Sequence, residues 1–268
     1  MAAFEKILVP VDLSHRSIGA VRYACSLAED FGSDLVFLHV IRSGWPLEAP
    51  AKEIRDHILG FMKLTPARFL VREGLPAATI IDTAATEKAD LILMPTRGVN
   101  TISRLLGRSI TTQVLRTAPC TVWSGVDDLS IFSRRPIRNV LCGLSLGPRT
   151  SKVLECAAGL AAKFHATLSL VHATKALRGA PGYPCDDWRF QIRKLAKDGI
   201  QAAQEEVGTN AEVWVESGTP VRAVPALAEI LRSDLLVIGK SPDFRLLPDL
   251  RSISYDIVNR APCPVASV

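Results

Sequence analysis

No apolar run in this chain approaches the roughly 20 residues that a membrane-spanning helix needs. The longest, such as Leu91 to Met94 and Leu235 to Gly239, are the size of a buried strand, so no membrane span or membrane partner is expected. Missing too is a charged leader followed by a long apolar stretch and a cleavage site; Met1-Ala-Ala-Phe-Glu-Lys6 runs straight into an apolar strand, and a cytoplasmic location is the expectation. The six cysteines (Cys25, Cys120, Cys142, Cys156, Cys185 and Cys263) include no CxxC pair and have no histidine-rich partner segment. That pattern excludes the common zinc modules and predicts reduced, buried or half-buried thiols with no metal cluster. Nor is there a block of like charge: the net charge is +5, but lysine and arginine are dispersed, which fits a solvated surface better than a nucleic-acid footprint. Disorder is excluded by composition, since 48% of residues are hydrophobic and only 22% are charged, enough to cover both faces of a parallel sheet.

What the sequence does contain is a repeat. At 268 residues two modest domains fit better than one large one, and the chain reads twice. Lys6-Ile-Leu-Val-Pro-Val-Asp-Leu-Ser14 matches Asn139-Val-Leu-Cys-Gly-Leu-Ser-Leu-Gly147, each an apolar strand that breaks into a small-residue turn. A helix follows in each copy, marked by Ile18, Val21, Cys25 and Ala28 in the first and by Val153, Cys156, Leu160 and Phe164 in the second. Gly32 stands at the first helix's C-terminal stop. The second strands, Asp34 to Ile41 and Ala166 to Ala173, carry His39 and His172 at equivalent places. The third, Arg68 to Glu73 and Glu212 to Glu216, run into Gly74-Leu-Pro76 and Gly218-Thr-Pro220, and each is followed by an amphipathic helix. The fourth, Ala89 to Met94 and Ser233 to Ile238, are continuous apolar runs. Finally Arg108-Ser-Ile-Thr111 lies ten residues before Ala118-Pro-Cys120, and Arg251-Ser-Ile-Ser254 ten before Ala261-Pro-Cys263.

Strands alternating with helix-length crossovers imply right-handed βαβ units and a doubly wound parallel α/β sheet of about five strands in each copy. The domains are placed at 1–128 and 135–268, joined by a linker over 127–136 rich in charge, serine and proline. Copy two carries about ten extra residues after its second strand, near 175–187, including Gly179-Ala-Pro-Gly-Tyr-Pro184. In such sheets ligands bind beyond the carboxyl ends of the strands, where the strand order reverses. In copy one that crevice should be lined by Pro10, Val11 and Asp12 and by Met94 to Gly98, turn-like segments that let backbone approach a ligand.

The opening Ile-Leu-Val-Pro-Val-Asp12-Leu-Ser, the Leu-His39-Val of the second strand, the Ala-Asp90-Leu-Ile-Leu-Met of the fourth and the Ala-Pro-Cys120 before the fifth resemble the universal stress protein family, over nearly the whole chain and once per copy. The resemblance implies two tandem sheets of the adenine nucleotide alpha hydrolase-like type related by a pseudo-twofold. It also implies pairing of the final strands, Cys120 to Ser124 with Cys263 to Val268, inside one chain. Further homo-oligomerisation is left open.

Nucleotide-binding members hold ATP with the aspartate ending the first strand, a valine of the second, and a loop reading Gly, two residues, Gly, nine residues, Gly-Ser. Asp12, Val40, Gly98 and Ser109 match in copy one, whereas Pro95 stands at the first loop glycine and Arg108 at the last. The implied lining is therefore Pro10, Val11, Asp12, Val40, Met94, Gly98, Arg108, Ser109 and Ile110, for ATP or another adenine nucleotide. Copy two keeps Gly239 but has Pro242, Arg251 and Ser145 where the second glycine, the third glycine and the aspartate would be. Gly143, Ser145, Gly239, Arg251 and Ser252 thus outline a degenerate second site. A glycine beside a phosphate gives its N–H groups open access, which arginine removes, but arginine also brings a charged fork suited to phosphate. Arg108 either fills the pocket or rebuilds it around a different anion.

Plainer roles compete with these. Asp12 or Ser14 suits the cap of the following helix, and Ser109 and Ser252 suit the cap of the last one. His39 and His172 lack a second ligand at metal spacing and read as packed strand-end histidines. Gly143-Leu-Ser145-Leu-Gly147 spells the GxSxG of a nucleophile elbow. The last histidine after it is His172, too near to complete a triad, and Ser145 aligns with Asp12, so no catalytic serine is expected. The leading expectation is a non-catalytic, stress-related binding or regulatory protein with a nucleotide site in copy one only. A pure protein-interaction scaffold stands as the alternative, and an ATP-hydrolysing enzyme ranks last.

Overall fold

The computed structural model describes residues 4–12, 15–41, 67–94, 110–125, 136–175, 185–240 and 253–268, together with 52, 56 and 60. The chain divides into two compact units, the described residues before 126 forming the first and those from 136 the second. The expected linker lies outside the described residues except for Pro136.

In the first unit the order is β1 (Lys6–Pro10), α1 (His15–Phe31), β2 (Asp34–Ile41), β3 (Ala67–Glu73), α2 (Pro76–Glu87), β4 (Leu91–Met94), α3 (Ile110–Thr117) and β5 (Thr121–Ser124). The strands lie β3-β2-β1-β4-β5, all parallel. The second unit runs β6 (Asn139–Gly143), α4 (Thr150–Phe164), β7 (Thr167–Thr174), α5 (Cys185–Val207), β8 (Glu212–Ser217), α6 (Pro220–Ile230), β9 (Leu235–Ile238), α7 (Ile253–Val258) and β10 (Val265–Ser267). Its order, β10-β9-β6-β7-β8, is again parallel throughout. The α/β reading and five strands per copy hold, and the direction of strand addition reverses between β1 and β4 and between β6 and β9.

Burial explains the sequence texture. The four-residue strands β4 and β9 are buried at every position, which is why they read as unbroken apolar runs. The outer strands β3 and β8 are half-exposed along most of their length and carry the charges. Trp123 of β5 is fully enclosed, with Phe4 and Tyr23 against it at ring-centroid distances of 6.5 and 6.2 Å.

Two local devices recur at matching positions. Helix ends turn through the left-handed region at Gly32 (φ 72°) and His165 (φ 52°), and again at Lys88 (φ 55°) and Arg232 (φ 49°). At the amino ends of the central strands an aspartate gathers two backbone N–H groups. Asp90 accepts from Glu5 at 2.7 Å and Lys6 at 3.3 Å, and Asp234 from Arg138 at 2.8 Å and Asn139 at 3.0 Å.

The copies part company after their second strands. Gly179 to Pro184 lie outside the described residues, but directly beyond them runs the 23-residue α5, in a crossover that the sequence reading held long enough for a helix without giving its bounds. Ile192, Ala196, Ile200 and Ala203 form its inward stripe, with Ala196, Ile200 and Ala203 buried.

Candidate functional site

Register places the first-domain crevice. Leu8 of β1 pairs with Ile92 of β4 and Pro10 with Leu38 of β2, so the segment leaving β1 emerges between the ends of its two neighbours. Val11 is anchored through both of its main-chain groups. Its N–H donates to the Leu38 carbonyl at 2.8 Å, and its carbonyl accepts from His39 Nδ1 at 2.9 Å. Since a carbonyl only accepts, the His39 ring carries its proton on Nδ1. This lock presents Asp12 to solvent at the switch point, beside half-buried Pro10 and Val40 and buried Met94. Ile110 opens α3 and is 42% exposed. Pro10, Val11, Asp12, Val40 and Met94 are thus brought to one end of the sheet. Pro95, Gly98, Arg108 and Ser109 lie outside the described residues, as does Ser14.

The second domain repeats the lock and changes what surrounds it. Leu144 N–H donates to Val171 at 2.9 Å and its carbonyl accepts from His172 Nδ1 at 3.0 Å. The packed-histidine reading therefore describes both rings at Nδ1, and the job they do is to hold the crevice backbone. Ser145, at the place of Asp12, is exposed. At Gly239 a Cβ would sit 3.2 Å from Val153 Cγ2 of α4, a tight contact that needs Val153 to give by a few tenths of an ångström. A Cβ at Gly143 would lie 3.2 Å from Ile238 Cγ2. Ser254 Oγ donates to the Gly239 carbonyl at 3.2 Å. Arg149, in the turn before α4, donates from Nη2 to the Val268 main-chain oxygen at 2.8 Å and from Nη1 to the Lys240 carbonyl at 3.4 Å. Sequence reasoning missed Arg149, and no pattern would have shown it: a single arginine before a helix looks like any surface cation. Arg251, Ser252 and Pro242 lie outside the described residues.

The GxSxG segment does not form an elbow. The left-handed residue of the turn is Leu146 (φ 51°), and α4 starts only at Thr150, whose Oγ1 accepts from Gly147 N–H at 2.8 Å. None of the five described cysteines forms a disulfide. Burial raises the thiol of Cys156 to about 11 and that of Cys263 to about 12, and lifts Cys142 still further. Among the described residues no group of three or more His, Cys, Asp or Glu is gathered for a metal ion, and no helix is long and apolar enough to cross a membrane. A surface cavity of about 270 Å³ opens beside Ser217, Thr219, Arg222 and Ile230, at the outer strand β8 and away from the switch point.

Comparison with known proteins points one way. The model of the universal stress protein family matches residues 3–58, 48–124 and 136–268. A universal stress protein of Methanocaldococcus jannaschii is 29% identical over 136 residues, 44% of this chain and 80% of that protein. One of Thermus aquaticus is 30% identical over 132 residues, 44% of this chain and 96% of that protein. Among solved structures, a universal stress protein from Archaeoglobus fulgidus superposes with a TM-score of 0.72 at 21% identity, covering 99% of this chain and 97% of that one. A putative universal stress protein from Pseudomonas aeruginosa gives 0.69 at 18% identity, covering 99% and 93%.

Proposed function

The chain belongs to the universal stress protein family, and from that premise we propose that it is a cytoplasmic, non-catalytic sensor that binds an adenine nucleotide, ATP or AMP, in its first domain, while its second domain binds none and serves as structural support. The observation that carries this reading is the fixed presentation of Asp12. With the Val11 N–H and carbonyl both taken, the main chain leading into exposed Asp12 is held at the switch point, and preorganisation of this kind raises affinity. Val40 and Met94 supply an apolar wall for a base. The second domain lacks the carboxylate, having exposed Ser145 there. The role assigned to bound nucleotide is that of a signal.

Calorimetric titration of the full chain with ATP and AMP tests this. One site per chain is expected, and Asp12→Ala should weaken it about tenfold or more, the worth of a hydrogen bond to a charged group. Absence of heat and of any thermal shift at millimolar nucleotide would defeat the proposal. Sustained ATP turnover abolished by Ser109→Ala would replace it with an enzymatic one.

A further inference from the structure

We propose that the amino-terminal half of α5 docks the protein reversibly on an anionic phospholipid surface. The 23-residue helix packs through its second half. Ala196, Ile200, Ala203 and Gln204 are buried there, Gln204 bonds both main-chain groups of Ala211 through its amide, and Ser151 of α4 donates to Glu206 at 2.6 Å. From Asp187 to Leu195 no residue is buried. Phe190, Arg193, Lys194 and Lys197 follow at i, i+3, i+4 and i+7, so one face sets an exposed phenyl ring among three exposed cations. Phe190 is 64% exposed, and Leu195, on the flank of that face, 66%. Among the described residues none of the three cations meets a carboxylate.

Helix stability does not account for this face. The helix dipole favours cations in the last turn, where α5 has Glu205 and Glu206 and no lysine or arginine. A convex helix surface makes no groove for a peptide, and a nucleic-acid duplex would use the cations while giving Phe190 and Leu195 no apolar partner. An anionic bilayer supplies both needs. Its phosphates suit the cations, whose alkyl stems lie along the surface, and its acyl boundary receives the phenyl ring. Such contact is with the surface alone, since no described helix is long and apolar enough to cross a membrane. It belongs to the second unit and is independent of what the first domain binds.

Vesicle sedimentation of the full chain tests it, with phosphatidylcholine alone and with phosphatidylcholine carrying about one quarter phosphatidylglycerol. The chain should pellet with the anionic vesicles, stay in solution with the neutral ones, and come off as salt is raised to about 0.5 M. Combining Arg193→Gln, Lys194→Gln and Lys197→Gln should weaken binding about a hundredfold, at roughly fivefold per cation. Combining Arg138→Gln, Lys152→Gln and Arg260→Gln, exposed cations outside α5, removes the same charge and should weaken it about twofold at most. Phe190→Ser changes no charge and should weaken it about tenfold. No binding to anionic vesicles, equal binding to neutral ones, equal loss in the two triple variants, or full binding by Phe190→Ser would each overturn the proposal. So would tighter binding of a duplex oligonucleotide that the α5 triple variant abolishes, which would assign the face to nucleic acid. None of these readouts needs a nucleotide ligand, so their failure is distinct from a failure of Asp12→Ala.

Discussion

Gly32 and His165 occupy the same helix end in the two copies, and both adopt the left-handed conformation. Glycine enters that region freely, whereas a residue with a Cβ loses about 1 kcal/mol or more there. His165 is exposed and ties only its main chain to the helix, its N–H donating to Ala162 at 3.3 Å. His165→Gly should therefore raise stability by about 0.5–1 kcal/mol in urea unfolding, and Gly32→Ala should lower it. A second residue-scale expectation concerns thiols. With Cys156 near 11 and Cys263 near 12, fewer than about one molecule in a thousand carries either thiolate at pH 8, so both should resist a thiol-directed reagent until the protein unfolds. The linkage runs against alkali. The unfolded chain releases these protons near the ordinary thiol value of 9.0, the folded one only later, so stability should fall as pH climbs from about 9 toward 11. Cysteine-to-serine variants at both positions should lessen that decline, with buried Cys142 keeping its own share of it.

Among elements, the aspartates before β4 and β9 hold the starts of β1 and β6. Asp90→Ala leaves the Glu5 and Lys6 N–H groups without their acceptor, and a loss of about 1–3 kcal/mol is expected in denaturant titration. Its acid behaviour has a definite sign. Desolvation by burial raises the Asp90 carboxyl above the ordinary value of 3.8, and outweighs the backbone hydrogen bonds that lower it. The folded state then keeps its proton at a pH where the unfolded state has lost it, so this group adds stability as pH falls through the interval between the two values. Asp90→Asn should flatten that limb of the stability profile. These aspartates also show why the elements were legible. Ala-Asp90-Leu-Ile-Leu-Met and Ser-Asp234-Leu-Leu-Val-Ile announce a capped strand buried on both faces, and each copy checks the other. Helix α5 was not legible in the same way, because the crossover that holds it is longer in copy two and the repeat gives no residue-by-residue match there.

For the whole molecule, repetition disclosed two parallel sheets of about five strands though not their strand order. The switch-point rule pointed to Asp12 and Met94, which the structure has at one end of the first sheet; Val40, at that same end, came from the family resemblance. Contacts across that end were beyond reach. The bond from His39 to Val11 and that from Arg149 to Val268 join residues 28 and 119 positions apart, and a one-dimensional pattern carries no record of such pairings. Sequence likewise showed a glycine at 239, but not that a Cβ there would press on Val153.

Within each unit the aspartate clamp lies at the amino ends of the strands, the end of the sheet away from its own crevice, so interactions that align the sheet are made apart from the switch point. A duplicated copy can accordingly abandon its chemistry at one rim while its assembly instructions at the other stay intact. Grafting new recognition loops onto the crevice rim of the second copy should leave the strand order undisturbed for the same reason.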